Sequence, residues 1–216
     1  MNKRRGLNLV ICGCGGQGNI LASRIIADAL MQREEHVKTA ETIGMAQRGG
    51  SVASHVRGGH PQSPLVPQKC ADTLIAFEPG EALRCIDYLA VRQQKTKEHT
   101  PQNTPALIVN TCASQPPTAG LQRCNYDGKE ALVWSEKYAA IHGQKFIALN
   151  ASEFCEEAGS AKVLNIVMLA AACKANALDG LTRQELEDAI KRRVKKHFWT
   201  MNLQAVEAIF SDLSIS

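Results

Sequence analysis

The chain has 216 residues, a formal net charge of +4, 44% apolar residues and only 5% aromatic residues. Its length suits one α/β domain, and an aliphatic, alanine-rich core is what helices packed on a parallel sheet require. The charge excess is too mild to suggest nucleic acid, and Lys191-Arg192-Arg193-Val194-Lys195-Lys196 reads as a solvated helix end whose cations offset the helix dipole.

In chain order, Leu7 to Cys12 is an apolar run predicted as the first strand, and Gln17 to Arg33 follows as the first helix. His36 to Ala40 predicts a short second strand. Ser51 to Arg57 alternates small or polar with apolar residues, the period of a strand with one covered face, and Gly58-Gly59-His60-Pro61 ends it. Ala71 to Phe77 predicts an inner strand, and Pro79 sits where proline suits a first helical turn, so a helix is expected through Leu89. Gln93 to Pro105 reads as a connecting loop and Ala106 to Asn110 as a strand. Pro116-Pro117 opens a less regular stretch up to Trp134, with a helix expected from Ser135 to His142. Phe146 to Leu149 gives another strand, after which Asn150 or Ser152 is available to cap a helix ending near Gly159. Lys162 to Asn176 is apolar nearly all round, which predicts a helix buried on most sides. Thr182-Arg183-Gln184-Glu185 is a capping box, and Leu203, Val206, Ile209 and Phe210 share one face of a last helix. The alternation predicts a single Rossmann-like α/β domain: a mostly parallel sheet flanked by helices, with a helical C-terminal third.

The most informative segment is Leu9-Val10-Ile11-Cys12-Gly13-Cys14-Gly15-Gly16-Gln17-Gly18, an apolar strand running through a glycine turn into a helix. Glycine lets the backbone approach a ligand closely, and the unpaired N–H groups of a helix N-terminus attract an anion. Gly13, Gly15 and Gly18 spell GxGxxG, a pattern that tight turns binding nothing also produce; the flanking strand and helix favour a phosphate-bearing ligand. A second turn, Gln47-Arg48-Gly49-Gly50-Ser51, carries an arginine able to fork onto phosphate or carboxylate. Arg48 and Arg57 are therefore candidate anion contacts, and Gln17 a candidate hydrogen-bonding group for the ligand or the opposing loop. Glu41 lies where a dinucleotide fold would place a ribose clamp, which keeps a free-standing NAD(P) oxidoreductase as an alternative.

Other side chains have plainer readings. His55, inside an alternating strand, is expected to be a packed core residue, and Asn165 to fix a helix against the sheet. Eight cysteines contain no CxxC pair, so no metal or iron–sulfur framework is expected. Cys14, near a helix N-terminus that would lower a thiol pKa, has a reactive reading, but a small filler residue is the expected one. The apolar residues after Lys3-Arg4-Arg5 are too few for a signal segment, and Val163 to Cys173 falls far short of the roughly 20 residues that cross a bilayer. A soluble cytoplasmic protein is expected.

Gly13-Cys14-Gly15-Gly16-Gln17-Gly18, Gln47-Arg48-Gly49-Gly50-Ser51 and Val56-Arg57 together resemble the gamma-type domain of 2-oxoacid:ferredoxin oxidoreductases. The segments 44–57, Ser63-Pro64-Leu65-Val66-Pro67 and 71–79 are most similar to the beta subunits of the indolepyruvate group. The resemblance extends through Ala161-Lys162-Val163-Leu164-Asn165 and Asn202-Leu203-Gln204-Ala205, so residues 1–216 are expected to form one such domain; it is weakest over 93–105 and 115–134.

The resemblance implies oxidative decarboxylation of a 2-oxoacid, an aryl pyruvate above all, to an acyl-coenzyme A, with electrons passed to ferredoxin. The chain has no GDG thiamine motif and no cluster-binding cysteine pattern. Thiamine diphosphate and iron–sulfur clusters are thus expected on a large alpha subunit. This chain would supply no catalytic residue, complete the site, and receive coenzyme A phosphates through Gly13, Gly15, Gly16, Gln17, Gly18, Gln47, Arg48, Gly49, Gly50, Ser51 and Arg57. No nucleic-acid or membrane partner is expected. A regulatory module that kept the fold without the complex is a further alternative.

Overall fold

The computed structural model describes residues 6–43, 49–91, 104–113 and 127–213. Six strands, β1 (Asn8–Cys14), β2 (Lys38–Ile43), β3 (Ser51–Arg57), β4 (Thr73–Ala76), β5 (Ala106–Asn110) and β6 (Lys145–Leu149), form one sheet in the order β2-β3-β1-β4-β5-β6. β1, β4, β5 and β6 pair in parallel, whereas β3 is antiparallel to both β1 and β2. The sheet is mostly parallel as expected, with β3 alone running against the rest.

Odd and even positions of β1 feed two different cores, as the two-residue period of a strand dictates. Leu9 and Ile11 join Val56, Ile75 and Ile108 beneath α1 (Asn19–Gln32), α4 (Ala151–Glu157), α5 (Leu164–Lys174), α6 (Arg183–Arg193) and α7 (Trp199–Ser211). Val10 and Cys12 join Leu74, Leu107 and Val109 on the opposite face, beneath α2 (Pro79–Cys85), with Leu132 and Tyr138 of α3 (Lys129–His142) packed against them. Burying each large aliphatic side chain of this kind contributes about 1.5–3 kcal/mol. α5 is the most enclosed helix: every residue from Asn165 to Cys173 is buried, so it shows no amphipathic stripe.

Several boundaries differ from expectation for local reasons. The helix after Pro79 ends at Cys85 and tightens into a 3-10 turn over Ile86–Tyr88. The buried helix starts at Leu164 after a 3-10 turn over Ala161–Val163, where Ser160 accepts a hydrogen bond from the Lys162 N–H. α3 begins at Lys129, six residues before the expected start, from a left-handed Gly128. Its periodicity is masked because Val133, Trp134 and Ile141 are exposed apolar residues. Asn150 accepts from the Ser152 N–H and caps α4, and the Thr182–Glu185 capping box opens α6. α1 is tied to α6 by Asp28, which accepts from both Arg192 and Arg193, and by Arg33 paired with Glu185 at 2.5 Å. Most of the loop expected at 93–105 and of the irregular stretch at 115–134 lies outside the described residues.

No helix among the described residues is long and apolar enough to cross a membrane.

Candidate ligand site at the carboxyl ends of the strands

α1 leaves β1 on one face of the sheet and α2 leaves β4 on the other. Between neighbouring parallel strands, that divergence opens a crevice at their carboxyl ends, where α/β sheets bind ligands. The glycine turn lies on one side of it. Gly18 adopts φ +85, and a Cβ there would meet the Asn165 amide nitrogen at 2.8 Å. A Cβ on Gly13 would stand 2.6 Å from Gln17 Oε1 and 2.9 Å from Phe77 Cβ. Gly16, at φ +104, has nothing among the described residues within 4 Å of its Cβ position and presents bare backbone there.

Gln17 folds back across the crevice. Its Oε1 accepts from the Cys14 N–H at 2.7 Å and its Nε2 donates to Glu78 Oε1 at 2.8 Å, stapling the turn to the end of β4. Asn19, 3% exposed, donates to the Cys14 carbonyl at 3.2 Å, and its buried Oδ1 has no hydrogen-bond partner among the described residues. Among the described residues α1 has no side-chain cap, which leaves its first-turn N–H groups for solvent or an anion.

The second glycine turn reaches the first. β2 and β3 form an antiparallel hairpin whose tip lies at the same end of the sheet, because Ser51 pairs with Cys14. The Gly15 N–H donates to the Gly50 carbonyl at 2.8 Å and the Gly49 N–H to the Gly15 carbonyl at 3.3 Å. Ser51 Oγ donates to Glu81 Oε1 at 2.5 Å, and Glu81 also pairs with Arg84 at 2.6 Å. Gly13, Gly15, Gly16, Gln17, Gly18, Gly49, Gly50 and Ser51 are thus brought together. Gln47 and Arg48 lie outside the described residues.

Arg57 is not brought there. It ends β3 opposite Asn8, about 20 Å along the strand from Ser51 at the usual rise. There its guanidinium donates to Asn8 Oδ1 at 2.8 Å and to the Ser63 and Leu65 carbonyls at 3.0 and 3.2 Å, holding the loop after β3. Burial, then the charges of Glu78 and Glu81, push the Cys14 thiol up to about 11, against the lowering a helix N-terminus would give, which removes its reactive reading. Glu41 is exposed on β2, which β3 separates from β1, so it does not occupy the strand beside the glycine turn that a ribose clamp needs. His55 is 1% exposed, accepts from the Val66 N–H at 3.4 Å, and meets Tyr88 edge-on; burial lowers its pKa and keeps the ring neutral. Asn165 donates to the Gly18 carbonyl at 3.4 Å, fixing α5 on the glycine turn.

A cavity of about 610 Å³ opens beside Gln17, with Asn110 at the end of β5 and Cys112 beyond it on one wall. Ser152, Cys155 and Glu156 of α4 form another wall, and Leu164 starts α5 at a third. Asn110 organises this end: its Oδ1 accepts from the Cys112 and Ala151 N–H groups, and its amide donates to the Phe77 carbonyl. Sequence reading missed Asn110, Glu78, Glu81 and the cavity. A lone polar residue at a strand's last position, such as Asn110, and Glu78 before Pro79 were the available signals.

The family model described as pyruvate ferredoxin/flavodoxin oxidoreductase matches residues 8–211. A curated relative, Indolepyruvate oxidoreductase subunit IorB of Archaeoglobus fulgidus, is 36% identical over 93% of this chain and 92% of its own. Its namesake from Methanothermobacter thermautotrophicus is 30% identical over 92% and 93%. Among solved structures, the gamma subunit of a keto/oxoacid ferredoxin oxidoreductase from Geobacter sulfurreducens shares the fold with a TM-score of 0.63 at 20% identity, covering 94% of this chain and 96% of that one. A 2-oxoglutarate:ferredoxin oxidoreductase from Magnetococcus marinus, solved with 2-oxoglutarate, coenzyme A and succinyl-CoA bound, aligns at a TM-score of 0.64 and 17% identity. There the match covers 98% of this chain and 32% of the longer one.

Proposed function

The chain belongs to the pyruvate ferredoxin/flavodoxin oxidoreductase family, and from that premise we infer that it is the smaller subunit of an indolepyruvate-type 2-oxoacid:ferredoxin oxidoreductase. In this reading residues 1–216 act as one gamma-type domain, and a large alpha subunit carries thiamine diphosphate and the iron–sulfur clusters. The complex converts an aryl pyruvate to an acyl-coenzyme A and gives the electrons to ferredoxin.

This chain's part is to hold coenzyme A phosphates. The observation that carries this is the mutual hydrogen bonding of the two glycine turns, Gly15 with Gly49 and Gly50, above an uncapped helix N-terminus. Open backbone at Gly16 and the first-turn N–H groups of α1 fit an anionic oxygen. The surrounding charge does not favour one unaided, since Glu78 and Glu81 both act on Cys14 beside the turn. A cation is therefore required, and Arg48, immediately before Gly49 in the chain, is the residue assigned to supply it. Coenzyme A, when bound, supplies the thiol that accepts the acyl group; this chain's groups bind and orient it.

The test is a pull-down of the tagged chain from anaerobic extract of its own cells, with indolepyruvate-dependent reduction of ferredoxin or a dye as the assay. A large thiamine and iron–sulfur partner with that activity is the expected result. An inactive chain recovered alone and binding a nicotinamide nucleotide would refute the reading. Arg48→Ala in the assembled enzyme is expected to weaken coenzyme A binding; unchanged affinity would remove Arg48 from the site.

A further inference from the structure

Two thiols meet in the core beneath α2, and the ligand site uses neither. Cys12 is the last residue of β1 before Gly13, and Cys85 is the last residue of α2; both are fully buried in the same cluster. The Cys12 thiol donates to the Glu81 carbonyl at 3.3 Å. Glu81 stands four residues before Cys85, on the same side of the helix. A helical side chain leans back over the turn that precedes its own Cα, so Cys85 Sγ is carried toward the carbonyl that Cys12 already reaches. The two sulfurs accordingly lie within hydrogen-bonding reach of each other.

The pair is chemically unequal. A hydrogen bond from Cys12 lowers the Cys85 pKa against the opposing effect of burial, and the Arg84 charge helps. Burial first, then that same hydrogen bond, raises Cys12 well above the ordinary thiol value. Cys85 is thus the thiol that ionises first, with a protonated Cys12 in contact behind it, the order of roles in which an attacking thiolate is followed by a resolving thiol. Access comes from the position of Cys85 at the end of a seven-residue helix that passes at once into a 3-10 turn, since short helix ends open locally at little cost.

We propose that Cys12 and Cys85 form a reversible disulfide when the protein meets hydrogen peroxide. The Cys85 thiolate attacks one peroxide oxygen, the O–O bond breaks, and Cys85 becomes a sulfenic acid while hydroxide leaves and takes up the proton that Cys85 released. Cys12 sulfur then attacks the Cys85 sulfur; the S–S bond forms, the S–O bond breaks, and the Cys12 proton leaves with the hydroxyl as water. Two thiols are oxidised by two electrons in all, and one peroxide is reduced to two waters. The bond ties the end of α2 to the strand residue that precedes the glycine turn, and it removes the S–H that the Glu81 carbonyl accepts. The Glu81 side chain is also the group that holds Ser51 of the second turn, so the link sits directly under the contact between the two turns. This inference does not depend on which ligand those turns hold.

The test treats the full chain in its assembled complex with hydrogen peroxide under argon, then unfolds it in iodoacetamide and maps its peptides by mass spectrometry without reductant. The expected result is a linked pair of peptides carrying Cys12 and Cys85, lighter by two hydrogens than the reduced pair and separated by dithiothreitol, with Cys155 and Cys173 still alkylated. In Cys12→Ser, Cys85 should persist as a sulfenic acid captured by dimedone; in Cys85→Ser, Cys12 should lose its dimedone signal. Full alkylation of both Cys12 and Cys85 while Cys14, Cys70 or Cys112 is oxidised would overturn the proposal, and the native chain alone decides that point should either variant fail to fold. Cys12 linked indiscriminately to several cysteines would overturn it too, because an unfolded chain gives that pattern. Dimedone on Cys12 rather than Cys85 would overturn the order of attack.

Discussion

Gly18→Ala probes the joint on which the site depends, the contact between the glycine turn and the buried helix α5. Two separable costs are expected. Alanine at φ +85 pays the left-handed penalty of about 1–2 kcal/mol. Its methyl would also stand 2.8 Å from the Asn165 amide nitrogen, which is 2% exposed and cannot swing into solvent, an overpacking cost of about 1–3 kcal/mol. Gly16→Ala isolates the first cost, because φ there is +104 but nothing among the described residues lies within 4 Å. Asn165→Ala removes the obstacle. In urea unfolding followed by far-ultraviolet circular dichroism, Gly18→Ala should cost about 2–5 kcal/mol in the native background and only about 1–2 kcal/mol beside Asn165→Ala. The coupling should thus be about 1–3 kcal/mol. Costs that agree within about 0.5 kcal/mol in the two backgrounds would refute the argument that Asn165 sets the space above Gly18.

Glu185 is held down to about 2, first by Arg33 and then by its contacts with Thr182. A depressed folded pKa contributes stability above the ordinary carboxylate value of 4.5 that is lost as pH falls toward about 2. Acid titration of unfolding should therefore show a smaller loss across that window in Glu185→Gln than in the native chain; parallel curves would contradict the assignment. With its thiol pushed up to about 11, Cys14 should alkylate sluggishly at pH 8, and Glu78→Gln should speed it. A native rate equal to that of a free cysteine would show that burial and the two carboxylates do not control this thiol. Arg57→Ala should free the segment around Ser63 and Leu65 to proteolysis while leaving coenzyme A affinity of the complex unchanged. A loss of affinity without new cleavage would return Arg57 to the ligand site.

The chemistry of the turns was legible in the chain because it is local. Gly13 ends up one residue inside the end of β1, and Gly15, Gly16 and Gly18 lie between that strand and α1, as their order in the chain suggests. The capping box at Thr182 and the all-buried helix around Ile166 are local patterns too. What the chain did not reveal depends on distance between segments. Arg57 looked like a partner of the second turn because only five residues lie between it and Ser51, but an extended strand turns that spacing into opposite ends of the sheet. The chain alone left a reactive Cys14 open as the lesser reading; what removes it is burial by the assembled fold, then Glu78 and Glu81, which come from the end of β4 and from α2, more than sixty residues on. The cavity likewise needs β5, α4 and α5 assembled before it exists.

One strand's direction links these observations. A Rossmann-type unit would follow α1 with a parallel strand beside β1, placing that strand's acidic residue at the nucleotide. Here the position beside β1 is taken by β3, running the other way. The reversal moves Glu41 to the edge strand and brings the start of β3 to the glycine turn, so Gly49 and Gly50 reach Gly15 as backbone donor and acceptor. A ribose clamp is exchanged for a second glycine loop, a change that suits a ligand recognised through its phosphates more than through a ribose. The same reversal sends Arg57 away to brace the far loop. That leaves the charge needed against Glu78 and Glu81 to another cation, and Arg48, immediately before Gly49 in the chain, is the one proposed, which is why Arg48, and not Arg57, is the substitution on which the proposed site turns.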